Sequence, residues 1–145
     1  MSVIHSALLR NIPMPTYRSR TLSVTIARPW MEVYAYASDP RNMHHWAAGF
    51  GQDFAPDGDG WAFHDPAGHR IRLTFTPANT YGVLDHDVYT LTGVVHSAMR
   101  VMPNGDGAEL TFLLLQLPGM TDGEFTRDAE TVHKDLEALK QILEH

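Results

Sequence analysis

The sequence predicts an α+β fold: a curved antiparallel sheet of about seven strands wrapped around one long C-terminal helix, with two short helices after the first strand. Three observations carry this. Residues 121–144 are the one long segment with helical periodicity, residues 52–117 read as short β-rich segments divided by turn residues, and the first strand candidate, 21–26, is set apart from them by short helical patterns broken at Asp39-Pro40. Breaks this short between strands make antiparallel hairpins rather than helical crossovers.

The chain of 145 residues is one domain's worth, long enough to bury about two thirds of its unfolded surface. An arm over 1–18 and a domain over 19–145 are expected. The arm begins with an apolar stretch, Ser2-Val-Ile-His-Ser-Ala-Leu-Leu9, with no basic residue before it and Arg10 after it, which is not the pattern of a secretory signal. Pro13 and Pro15 separate this stretch from the first strand candidate. Arg10, Arg18, Arg20 and Arg28 fall in this first fifth and read as a solvated basic arm.

Residues 21–26, Thr-Leu-Ser-Val-Thr-Ile, alternate polar and apolar, so Leu22, Val24 and Ile26 face inward. Pro29 suits the first turn of a helix, and Trp30, Val33, Tyr34 and Ala37 share one face of it. Asp39-Pro40 ends that helix and starts another, with Asp as cap and Pro as first residue, running to about Trp46. Strands are expected over 52–55, 61–64, 69–76, 82–91, 94–102 and 108–117. The breaks are Pro56-Asp-Gly-Asp-Gly60, Asp65-Pro-Ala-Gly68, Pro77-Ala-Asn79 and Pro103-Asn-Gly-Asp-Gly107. In the final helix Phe125, Ala129, Val132, Leu136, Leu139 and Leu143 form one stripe, and Thr121 with Glu124 makes a capping box. The terminal Leu143-Glu144-His145 is compatible with a vector-derived tail, so His145 carries no weight.

A helix of some 24 residues is about 36 Å long, enough to cross the concave face of such a sheet but not to fill it. A cavity is therefore expected between sheet and helix, closed at one end by the short helices, and suited to an apolar ligand. Ala129 and Val132, the small residues of the stripe, mark where room beneath the helix is expected.

Residues Ser23-Val-Thr-Ile26, Val33-Tyr-Ala-Tyr-Ala-Ser-Asp-Pro40 and Trp46, over a span of about 20–143, resemble the helix-grip superfamily of START domains, birch-pollen-allergen-like proteins and polyketide cyclases, called SRPBCC. Tyr81-Gly-Val-Leu-Asp-His-Asp-Val88, Met99-Arg-Val-Met-Pro-Asn-Gly-Asp-Gly107 and Pro118-Gly-Met-Thr-Asp-Gly-Glu-Phe125 look like a bacterial polyketide cyclase/dehydrase-like subgroup. The resemblance implies the helix-grip fold. It leaves activity open among lipid carriers, cyclases, hormone receptors and chaperone regulators, since fold alone does not fix function.

Composition narrows the classes. A net charge of -6 argues against holding nucleic acid by phosphate neutralisation. With no cysteine there is no disulfide framework, in keeping with a reducing, cytoplasmic setting, and no apolar run approaches a membrane span. Nine histidines raise metal ligation, but neither His44-His45, His64 with His69, nor Asp85-His-Asp87 has a ligand spacing, and neighbouring strand residues point to opposite faces. No metal and no cofactor is expected. There is also no Gly-x-Ser-x-Gly elbow and no phosphate-cradling loop.

On strand 82–91, Leu84, His86 and Val88 share one face, while Asp85 and Asp87 mark the other as the solvent side. His86 then points into the cavity, as a structural histidine, a ligand hydrogen bonder or a general acid–base. The expected ligand-binding set is Trp46, Phe63, Leu73, Leu84, His86, Met99, Phe112, Ala129 and Val132, with His86 the candidate catalytic residue. Arg72 and Arg100 are read as outer-face residues that meet a ligand carboxylate only if they turn inward. Leu113 and Leu115 make the last strand apolar on its outer face too, so a covering element or a homodimer is expected. Three functions are compatible with these features: a binding protein for a small hydrophobic or aromatic ligand, a cyclase or aromatase working by acid–base chemistry in the same cavity, and an interaction module with a vestigial cavity.

Overall fold

A computed structural model describes residues 13–48 and 52–145. The expectations placed on 1–12, including Arg10, lie outside the described residues; 13–18 are exposed and irregular. The elements in chain order are β1 (Ser19–Ile26), α1 (Trp30–Ala37), a 3-10 turn (Pro40–Asn42), α2 (Met43–Trp46), β2 (Gln52–Asp57), β3 (Gly60–His64), β4 (Arg70–Phe75), β5 (His86–Thr90), β6 (Gly93–Asn104), β7 (Gly107–Leu115) and α3 (Asp122–Glu144). The strands make one seven-stranded antiparallel sheet in the order β1-β7-β6-β5-β4-β3-β2. The fold is α+β of the helix-grip kind.

Local chemistry places the boundaries. Asp39 caps the 3-10 turn through its carboxylate, which accepts from Arg41 N at 3.0 Å. Pro56 and Pro103, which the sequence pattern marks as breakers, instead lie inside β2 and β6. Pro56 is tolerated because β2 is an edge strand, and a bulge at Asp53 also irregularises that edge. The β6–β7 hairpin turns on Gly105-Asp106, with Gly105 at φ 58 in the first central position, as a type II′ turn requires.

The expected strand 82–91 is regular only over β5. Residue 83 still bridges Arg100, and Leu84 N–H donates to Met99 O at 2.8 Å, so the β6 side is kept. The other side has no strand, because β4 ends at Phe75, opposite His86. The Asn79 side chain stands in for one: its Oδ1 accepts from Val83 N at 3.1 Å and its Nδ2 donates to Val83 O at 3.0 Å. This satisfies backbone groups that would otherwise be buried at a cost.

Helix α3 starts at Thr121, whose hydroxyl accepts from Glu124 N at 3.1 Å. Glu124 does not complete the reciprocal box on the backbone; its carboxylate accepts a hydrogen bond from the Thr121 hydroxyl at 3.2 Å. Phe125, Ala129, Leu136 and Leu139 of the stripe are buried, with Leu22, Val24, Ile26, Val101 and Leu110 of the sheet also in the core. The helix is tied to β1 by Lys140 Nζ donating to Thr25 O at 2.6 Å, and to the next loop by Ala27 N–H donating to Glu144 at 2.8 Å. It therefore lies over the β1–β7 half of the sheet. Under the other half Phe63, Ile71 and Leu73 form a separate apolar cluster with Phe54, Trp61, Phe75 and Val88. Among the described residues no helix is long and apolar enough to cross a membrane.

Candidate ligand cavity

Between these two packed regions lies a cavity of about 260 Å³. Its floor is the inner face of β4, β5, β6 and β7, through Phe75, His86, Val88, Ser97, Met99, Phe112 and Leu114, with Leu84 beside them. Helix α3 supplies Val132 and Leu136 as roof and Asp128, Thr131 and Asp135 as rim. Ala37, Ser38, Met43, Trp46 and Ala47, on and between the short helices, close one end. Ala48 N–H donates to Asp135 Oδ1 at 3.2 Å, fastening that end to α3. The volume is just under the range of about 300–1,000 Å³ usual for drug-sized ligands, so it suits a small one.

Of the residues expected at the site, Trp46, Leu84, His86, Met99, Phe112 and Val132 line this cavity. Phe63 and Leu73 face the same side of the sheet but belong to the separate cluster beneath β3 and β4. Ala129 is packed in the main core, so the room beneath α3 is at Val132, one turn on. Phe75, Ser97, Leu114 and Leu136 also line the wall, outside the expected ligand-binding set. Ser97 was findable, because a two-residue turn at Leu91-Thr92 fixes its register opposite His86.

His86 is buried at 9% exposure between the rings of Phe75, 5.9 Å away, and Phe112, 6.3 Å away. Its Nδ1 lies 3.2 Å from Leu84 O. A carbonyl only accepts, so the proton is assigned to Nδ1 and the neutral ring keeps its acceptor at Nε2. Burial pushes the imidazole below its ordinary pKa; the Leu84 carbonyl and the Asp85 charge pull the other way without reversing it. Trp46 is also buried, and its indole Nε1 has no hydrogen-bond partner among the described residues. At the rim Asp128 is pushed up, by partial burial first and by Glu124 second.

The outer face carries a separate polar network. Asp85, expected to be solvated, is 8% exposed, because three groups converge on it. Met99 N–H donates to its Oδ1 at 2.9 Å, Arg100 donates to its two oxygens at 3.2 and 3.1 Å, and His96 Nε2 lies 3.3 Å away. Burial raises the Asp85 pKa, but the Arg100, Met99 and His96 bonds outweigh it and hold the carboxyl below the usual range. His96 Nδ1 is 2.7 Å from Asp87, and that bond above all pushes its pKa up. Arg100 thus points outward, as does Arg72, which pairs with Asp57 and Asp59. Among the described residues no group of three His, Cys, Asp or Glu side chains is placed to hold a metal ion.

No family model and no curated protein matches the sequence. Solved structures do match in shape. DynU16, a protein of the dynemicin biosynthetic locus, superposes with a TM-score of 0.66 at 16% identity over 90% of this chain, which spans only 48% of that protein. Protein CV1439 from Chromobacterium violaceum gives 0.67 at 15% identity, over 88% of this chain and 97% of the other. The Aha1 dimer from Colwellia psychrerythraea gives 0.69 at 12% identity, over 88% and 96%. At these identities the likeness shows the fold alone: the chain shares with these proteins a sheet wrapped around a long C-terminal helix, an architecture consistent with helix-grip and polyketide-cyclase-like proteins.

Proposed function

We propose that the protein binds a small hydrophobic or aromatic molecule in the cavity between sheet and α3. The observation that carries this is the wall itself: an apolar lining set with one buried, neutral-favouring imidazole held between two phenyl rings. Such a wall stabilises a planar apolar ligand by burial and fixes its orientation by one hydrogen bond. The buried Trp46 N–H, on a residue of the same wall and with no acceptor among the described residues, supports the reading, since a buried donor without an acceptor costs about 1–3 kcal/mol until one is provided. Native mass spectrometry of the purified protein tests it. A co-purified adduct on the 16.2 kDa chain, released on unfolding, is the expected result; its absence, together with failure to bind any apolar probe, contradicts the proposal.

A second reading is catalysis of the cyclase or aromatase type. It is favoured by titratable groups, His86 on the floor and Asp128 and Asp135 on the rim, around one volume. A neutral His86 accepting at Nε2 suits the base in removing a proton from an enolisable ligand. The dynemicin-locus neighbour lends this reading a biosynthetic context. His86→Gln separates the two: a carrier loses affinity alone, whereas an enzyme loses turnover with its ligand still bound.

A further inference from the structure

The β6–β7 ladder runs from Asn104 opposite Gly107 to Ala98 opposite Leu113 and stops there. Beyond it the two strands part. Residues 93–97 of β6 follow β5, with Ser97 opposite His86, while Leu114 and Leu115 follow β1, opposite Arg20 and Ser19. No proline or glycine lies in 94–98 or 112–116 to force this. The parting is a property of the curved sheet, and it gives up ladder hydrogen bonds where the next pair, His96 with Leu115, would form.

A second space of about 210 Å³ occupies the gap. Side chains of both sheet faces line it: Val95, Ser97, Phe112 and Leu114 from the inside, and His96 and Leu113 from the outside. It is therefore a slit through the sheet. Four of its residues, Ser97, Phe112, Leu114 and Asp128, also line the cavity. Side chains, not paired backbone, stand between the cavity and the outer face, and rotamer changes of that kind take picoseconds to nanoseconds when the residue is not tightly packed.

The two mouths differ in chemistry. Ser38, Asp128, Thr131 and Asp135 stand about the one under α3; the slit also has polar neighbours, His96 and Asp128, but sets them among five apolar side chains, Val94, Leu113, Leu115, Leu117 and Met120. An apolar molecule leaves water more readily along the second route. We infer that the slit between β6 and β7 is the passage by which an apolar ligand enters and leaves the cavity. This rests on the cavity being a ligand site.

The absence of cysteine makes the test direct. Leu115→Cys places a single thiol at the slit, to be capped with a bulky polyethylene glycol maleimide. Binding of anilinonaphthalene sulfonate is then followed by stopped flow. Capping should slow association and dissociation together by about tenfold or more and leave the Kd within about twofold, as expected of a blocked route rather than a lost site. Leu113→Cys, at an exposed position, gives the same readout should Leu115→Cys fold poorly. Met102→Cys, on the outer face away from the slit, should change nothing on capping. Unchanged rates for the slit variants, or slowing by a capped Ser38→Cys in their place, overturn the passage while leaving the cavity intact. No saturable binding to the unmodified protein overturns the cavity reading, and the passage with it.

Discussion

His86 stands opposite Ser97 on the cavity side of the sheet, while one residue along, Asp87 stands opposite His96 on the outside. One hairpin thus holds two histidines in contrary environments. His86 is buried with a lowered pKa, and His96 lies between two carboxylates with a raised one. For His86 the unfolded chain takes up the proton first, at the ordinary value of about 6.5, so its contribution to stability is complete above that pH and is lost as the pH falls toward the lowered folded value. For His96 the contribution is complete below about 6.5 and is lost as the pH rises through the raised folded value. Ring-proton NMR should show His86 titrating below the ordinary value and His96 above it, the two signals being assigned by their loss in His86→Gln and His96→Gln. Coincident titrations would contradict the assignment of environments.

Asp85 joins the two strands from the outside. Its carboxylate carries the Met99 N–H and the Arg100 guanidinium, and hydrogen bonds to a charged group are worth about 1.5–3 kcal/mol each. Asp85→Ala should therefore cost about 2–4 kcal/mol in urea unfolding. Asp85→Asn should cost less, since its oxygen can still accept from Met99. Equal losses in the two variants would show that the Met99 bond contributes little.

Gly82 lies at φ 71 with its backbone against the Val101 carbonyl, and a Cβ there would run into that oxygen. Gly82→Ala should destabilise by about 1–3 kcal/mol from the left-handed backbone alone, and more from the clash. Thermal unfolding checks this; a melting temperature equal to that of the parent would mean that the 82–85 segment is not held against β6.

The element order, the helix stripe and the inward face of β5 were legible because each is written in local periodicity. Alternation on 82–91 fixes the side on which His86 lies. It does not fix how far along the sheet α3 reaches, so Phe63 and Leu73, correct in face, fall outside the wall, and Ala129, correct in stripe, packs on the core. The early end of β5 depends on Asn79 substituting for a strand, a non-local exchange that no window of residues displays. The burial of Asp85 is of the same kind: its charge reads as solvent-facing until Arg100 and His96 are brought over it by the ladder. The slit leaves no mark in the sequence, since neither strand carries a breaker where they part.

Whether the space between sheet and α3 is a ligand site is decided most directly at Val132, because this residue lines the roof. Val132→Trp adds bulk toward the cavity while keeping an apolar residue on the helix stripe. Titration with anilinonaphthalene sulfonate, with far-UV circular dichroism to establish that the variant is folded, should show saturable binding at one site in the parent and none in Val132→Trp. Undiminished binding by a folded Val132→Trp would contradict a ligand site beneath the helix.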